Sequence, residues 1–101
     1  MSEATTTAAF FGAVLKAIAC TRNDGPDGEA YDRGVIEPAR RVRDLEKEAE
    51  GRVLTQEEVE RVLGWLETIL DTKRVPEGER EHHRARVAEA GGLTVVTRGS
   101  N

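Results

Sequence analysis

The residues best suited to chemistry are scattered, and their spacing decides what they can do. His82 and His83 stand in a charged stretch beside Glu79 and Arg86. Adjacent helical residues point about 100° apart, so the two imidazoles cannot share one ion. Glu79 with His83 at i, i+4 offers two ligands, which is too few for a metal site. The pair therefore reads as surface histidines, and no metal is expected. The acidic loop 23–32 invites a calcium reading. Starting from Asn23, however, the calcium-loop register puts Gly25 at position 3 and Gly34 at position 12, where oxygen ligands are required. It reads instead as an acidic turn feeding a helix. Cys20 is the single cysteine, so an intramolecular disulfide is excluded. It has no evident base partner, and the chain carries neither a glycine-rich phosphate loop nor a nucleophile elbow.

Carboxylates are numerous. Glu46, Glu48 and Glu50 on one helix, against Glu57, Glu58, Glu60, Glu67 and Asp71 on the next, could hold magnesium as all-helical nucleoside triphosphate pyrophosphohydrolases do. Their spacing departs from that family's acidic pattern, and Glu57 and Glu60 lie away from the apolar seam. A magnesium-dependent nucleotide pyrophosphohydrolase is accordingly the third functional reading. The stretch LTQEEVERVLG resembles the first helix of a helix-turn-helix DNA binder, but Trp65-Leu66-Glu67-Thr68 continues the helix where a turn should follow. With a net charge of -4, DNA binding is disfavoured.

Arginine outnumbers lysine 12 to 3. Arg33, Arg40, Arg41 and Arg43 surround Gly34 and Pro38, and Arg80, Arg84 and Arg86 lie near the histidines. Guanidinium groups suit bidentate contacts with phosphate or carboxylate. An oligomer could gather Tyr31, Arg33, Arg40 and Arg41 around a nucleotide-like anion. Against this, Glu37 with Arg41 and Arg40 with Asp44 are i, i+4 pairs that would account for much of the cluster as a salt-laced helix face.

The elements that position these groups read as helices. The chain has 101 residues, 38% apolar, 34% charged and 4% aromatic, enough for one small domain with a modest core. The most apolar run, 8–20, is interrupted by Lys16 and is too short to cross a bilayer. No positive charge precedes it, as a secretory signal would require, so an intracellular, cytoplasmic protein is expected. A first helix over about 4–20, with Ser2 or Thr5 as cap, presents Phe10, Phe11, Val14, Leu15 and Ile18 as a broad apolar face for a core or a subunit interface. A second, beginning after Asp27 as cap, carries Tyr31, Val35, Ala39, Val42, Leu45 and Ala49 in one stripe, with Ile36 off it. Pro38 must either kink this helix or restart it. Thr55 and Glu58 form a capping box opening a third helix, whose seam runs Val59, Val62, Leu63, Leu66, Ile69 and Leu70, with Trp65 at its edge. A fourth, apolar-poor helix spans about 76–90 and should lie outermost.

These features predict an all-α fold: a small bundle of three to four helices over 1–92, kinked or broken near Pro38. The tail 93–101 reads as a short strand, with Leu93–Thr97 against Arg52–Thr55, or as a free end. A homo-oligomer built on the first and third helices is expected. With no catalytic constellation and no cofactor site, the first functional reading is a non-enzymatic protein that binds and inhibits or modulates a protein partner through Trp65, Glu58 and Glu67. In general character it is similar to small accessory proteins of bacteria and phages. The alternative is an oligomer that sequesters a nucleotide-like anion with Tyr31, Arg33, Arg40 and Arg41.

Overall fold

The computed structural model describes residues 2–49 and 54–91, with side chains from residue 9 onward. Among these residues the fold is all-α, with four helices and no strand. Helix α1 is Ser2–Cys20. Helix α2 is a composite of an α turn Glu29–Tyr31, a π-helical turn Asp32–Ile36 and a regular segment Glu37–Glu48. Helices α3 and α4 are Gln56–Thr72 and Glu77–Ala90. The expected pairing of Leu93–Thr97 with Arg52–Thr55 falls largely outside the described residues, as do the tail 93–101 and the side chains of Ser2 and Thr5.

The broad apolar face of α1 is covered within a single chain. Phe10, Phe11, Val14 and Ala17 are buried, with Leu15 and Ile18 packed around them. They meet Val42 and Leu45 of α2, Val62, Leu66 and Leu70 of α3, and Val87 of α4 in one continuous core. Helix α4 lies along α1 and anchors there through Val87, which is fully buried.

The expected irregularity near Pro38 is present: the proline stands in the first turn of the regular segment Glu37–Glu48, directly after the π turn, and the backbone stays helical through the junction. The Glu37 N–H reaches back five residues to the Asp32 carbonyl, giving one wide turn ahead of the proline. A proline ring crowds the carbonyl four residues earlier, here that of Gly34, and a π turn opens the backbone at that point. The helix then continues to Glu48 with Pro38 buried. Its start also differs from expectation. Gly28, at φ 68°, takes the cap position in place of Asp27, because only glycine adopts that backbone freely.

Helix α3 opens with the expected capping box: Thr55 Oγ1 accepts from the Glu58 N–H at 3.1 Å, and the Glu58 carboxylate accepts from the Thr55 N–H at 2.9 Å. Its other end is closed by a Schellman motif. The Val75 N–H donates to the Leu70 carbonyl and the Arg74 N–H to that of Asp71, with buried Val75 and Leu70 as the accompanying apolar contact. Arg74 occupies the left-handed position (φ 58°) that glycine usually fills.

Lys73, between these residues, ties the bundle together. It is 5% exposed, and its Nζ donates to the Ile18 carbonyl (2.8 Å), the Thr21 carbonyl (3.1 Å) and Thr21 Oγ1 (2.9 Å). The last turn of α1 is therefore capped by an ammonium from α3. The Asp24 N–H donates in return to the Lys73 carbonyl, drawing the 21–28 loop across the end of α3. Both Gly25 and Gly34 lie against Thr72 so closely that a Cβ at either position would overlap it.

Three substitutions, two at this junction and one at an open position of α1, have expected stability outcomes. Gly34→Ala should lower stability by about 2 kcal/mol through overpacking, whereas Gly12→Ala, where a Cβ meets open space, should raise it by about 0.5–1 kcal/mol. Lys73→Met, which removes the ammonium from the Thr21 carbonyl and hydroxyl and leaves the Ile18 carbonyl only its bond from Thr21 Oγ1, should cost about 3 kcal/mol. Urea denaturation of the three variants beside the parent protein checks all of these.

Candidate functional site

The charged side chains divide into those that build the fold and those left facing solvent. Glu67 and Arg84 belong to the first group. The Arg84 guanidinium meets both Glu67 oxygens, through Nε at 2.5 Å and Nη2 at 2.7 Å, and reaches Glu77 through Nη1 at 3.1 Å. The hydrogen bond from Arg84 lowers the Glu67 carboxyl below its ordinary value of 4.5, against the opposing effect of burial. The same bond raises the Arg84 pKa. This fork fastens α3 to α4. Arg80 acts similarly nearby, donating from Nε to the Val75 carbonyl at 2.7 Å and lying 3.4 Å from Asp71.

The expected partner-binding residues are thus placed unequally. Glu58 is engaged in the capping box and Glu67 in the Arg84 fork. Trp65 is half-buried at the core border and packs against it. The three do not form a common exposed patch. Among the residues expected to bind a nucleotide-like anion, Tyr31 is half-buried, while Arg33 is exposed and paired with Glu29 at 2.8 Å. Arg40 and Arg41 are adjacent on a regular helix and point about 100° apart. The π turn adds a further offset, because each extra residue rotates what precedes it by about 100°. Arg33 therefore falls out of line with Arg40, although seven residues separate them.

The outer surface of α2 presents a different set. Its buried side carries Pro38, Val42 and Leu45. Opposite these, Ile36, Arg40, Arg43 and Lys47 recur at i, i+4, i+7 and i+11 within about 60° of the circumference and over about 16 Å of axis. All four are exposed. Ile36, at 40%, is the large apolar side chain left exposed among the described residues. The intrahelical pairs Glu37–Arg41 and Arg40–Asp44 do not close: among the described residues Arg40, Arg41, Arg43 and Lys47 have no ion-pair partner. The sequence shows Ile36 leaving the apolar stripe, but its alignment with the cations needs the helix phase after the π turn.

A second feature lies where α1 meets α4. A shallow groove there is floored by Ala13, Ala17 and Ala90 and edged by Lys16, Cys20, His82, His83, Arg86 and Glu89. Burial lowers the His83 pKa, helped by the neighbouring charges of His82 and Arg86 and opposed by Glu79. The two rings meet edge to face at 5.9 Å. Cys20 is exposed. Among the described residues no group of three or more histidine, cysteine or carboxylate side chains is disposed to hold a metal ion. The carboxylates of Glu57, Glu60 and Asp71 face outward from α3. No helix among the described residues is long and apolar enough to cross a membrane.

Compared with known protein families, curated proteins and solved structures, the chain finds no match.

The Glu67–Arg84 fork sets a pH dependence. A carboxyl lowered in the folded state contributes stability that is present above its unfolded value and lost as pH falls through the folded one. Acidification from pH 7 to below 4.5 should therefore remove about 1 kcal/mol, given the partial exposure of both groups. Glu67→Gln should be less stable at pH 7 and should lack this component of the acid loss, as thermal unfolding across the range will report.

Proposed function

We propose that this protein is a non-enzymatic binding domain whose outer α2 face docks on a protein partner, inhibiting or modulating that partner by covering its surface. One observation carries the reading: Ile36 stands exposed in line with Arg40, Arg43 and Lys47, and none of the three cations is ion-paired with a described neighbour. Cations held in intramolecular pairs have little left to offer a partner. Cations without such pairs, set on a rigid helix around an apolar residue, bind with little ordering cost. Glu58, Glu67, Lys73, Arg80 and Arg84, by contrast, are engaged in holding helices to one another or closing their ends. Arginine is also the cation most enriched at contact hot spots, because its fork can pair bidentately with a carboxylate.

The reading is tested by tagging the full chain, recovering its cross-linked partners from source cells and comparing it with the double variant Ile36→Asp/Arg43→Glu. Both positions are exposed, Ile36 as the last residue of the π turn and Arg43 on the regular segment, so helix content and melting temperature should be unchanged. Recovery of a specific partner should fall at least about tenfold, equivalent to about 1.4 kcal/mol. Equal recovery by a folded variant would refute the assignment of this face.

A further inference from the structure

From the geometry of the α2 ridge, and resting on the reading of that face as a docking surface, we infer that its occupant is an acidic helix of another protein carrying one apolar residue in line with its carboxylates. The ridge sets the pattern. Positions i, i+4, i+7 and i+11 are the spacing at which a facing helix presents its own side chains along a shared seam. The ridge holds three cations and one apolar group, with no anion among them. A complementary helix therefore brings carboxylates to Arg40, Arg43 and Lys47 and an aliphatic side chain to Ile36.

The flanks of the ridge narrow the choice of occupant. Glu37, Asp44 and Glu48 lie along one side, all exposed, and half-buried Glu46 lies on the other. A nucleic acid or an anionic bilayer spreads its phosphates over a width that would meet these carboxylates as well as the cations, with repulsion offsetting attraction. A helix delivers its charge along a single row and avoids them. The lone isoleucine is also too small an apolar patch to enter a bilayer. A second copy of this chain fits less well. The outward acidic face of its α3, with Glu57, Glu60 and Asp71 exposed, has Gly64 at its centre and no apolar side chain to meet Ile36.

The test uses the full-length protein and a synthetic helical peptide about 20 residues long, with one leucine and three glutamates at the ridge spacing. A control peptide has the same composition with the glutamates distributed around the helix. In amide chemical-shift titrations the patterned peptide should perturb the α2 segment around 36–47. Its affinity should exceed that of the control at least about tenfold, and should fall at least about tenfold when salt is raised from about 0.05 to 0.5 M. Arg43→Glu should abolish the response, and Arg43→Lys should restore part of it.

The inference is overturned if the two peptides bind alike, if neither perturbs α2, or if duplex DNA or phosphatidylserine vesicles compete for the ridge better than the patterned peptide. It is equally overturned if sedimentation shows a dimer that Arg43→Glu dissociates, which would give the ridge to a second copy. Failure of the peptide while Ile36→Asp/Arg43→Glu still loses its cross-linked partner would remove the acidic-helix occupant and leave the docking face standing. Failure of both measurements would remove the docking face as well.

Discussion

A single buried ammonium holds the architecture in register. The carboxyl ends of α1 and α3 converge, and each carries the partial negative charge of unpaired carbonyls. Two such ends repel unless a cation stands between them. Lys73 supplies it: its backbone caps α3, and its Nζ donates to the last carbonyls of α1. Burial pushes the Lys73 pKa down, yet three oxygen acceptors surround the nitrogen and replace the water it has lost. The geometry of the neighbouring segments depends on this placement. The loop after Thr21 is pulled over Lys73, Gly25 and Gly34 close on Thr72, and the Schellman turn at Arg74 starts the chain toward α4.

Local features of the fold were legible in the sequence, and long-range ones were not. The capping box at Thr55 and Glu58, the α3 seam and the apolar face of α1 follow from spacing within one helix. Pro38 marked an irregularity correctly, but residue types alone do not reveal that the helix absorbs it in a wide turn ahead of the proline. That outcome depends on Thr72, which leaves space only for a glycine at position 34. The contact of Lys73 with Ile18 spans 55 residues, and the Arg84–Glu67 fork spans 17, so neither appears in any helical periodicity.

The same limit applies to the candidate surface. Glu58 and Glu67 look available when counted as exposed acids on an amphipathic helix, yet the capping box engages Glu58 locally and the fork to Arg84 engages Glu67 across two helices. Arg40 and Arg41 look committed to Glu37 and Asp44 by their spacing, yet those pairs stay open. Exposed i, i+4 pairs gain only a few tenths of a kcal/mol, about as much as ordering their long side chains costs. Sequence spacing is a poor guide to which surface charges are neutralised, whereas a fork that joins two helices is enforced by the packing around it.

The seclusion of Lys73 has a chemical consequence. Acylating reagents attack the free amine of lysine, and of the three lysines in the chain Lys16 and Lys47 are exposed to them while Lys73 is not. Its nitrogen becomes nucleophilic only when α1 and α3 part and the proton is released to solvent. The rate at which Lys73 is acylated is therefore a clock for the opening of the bundle, with the other two lysines as internal standards in the same molecule.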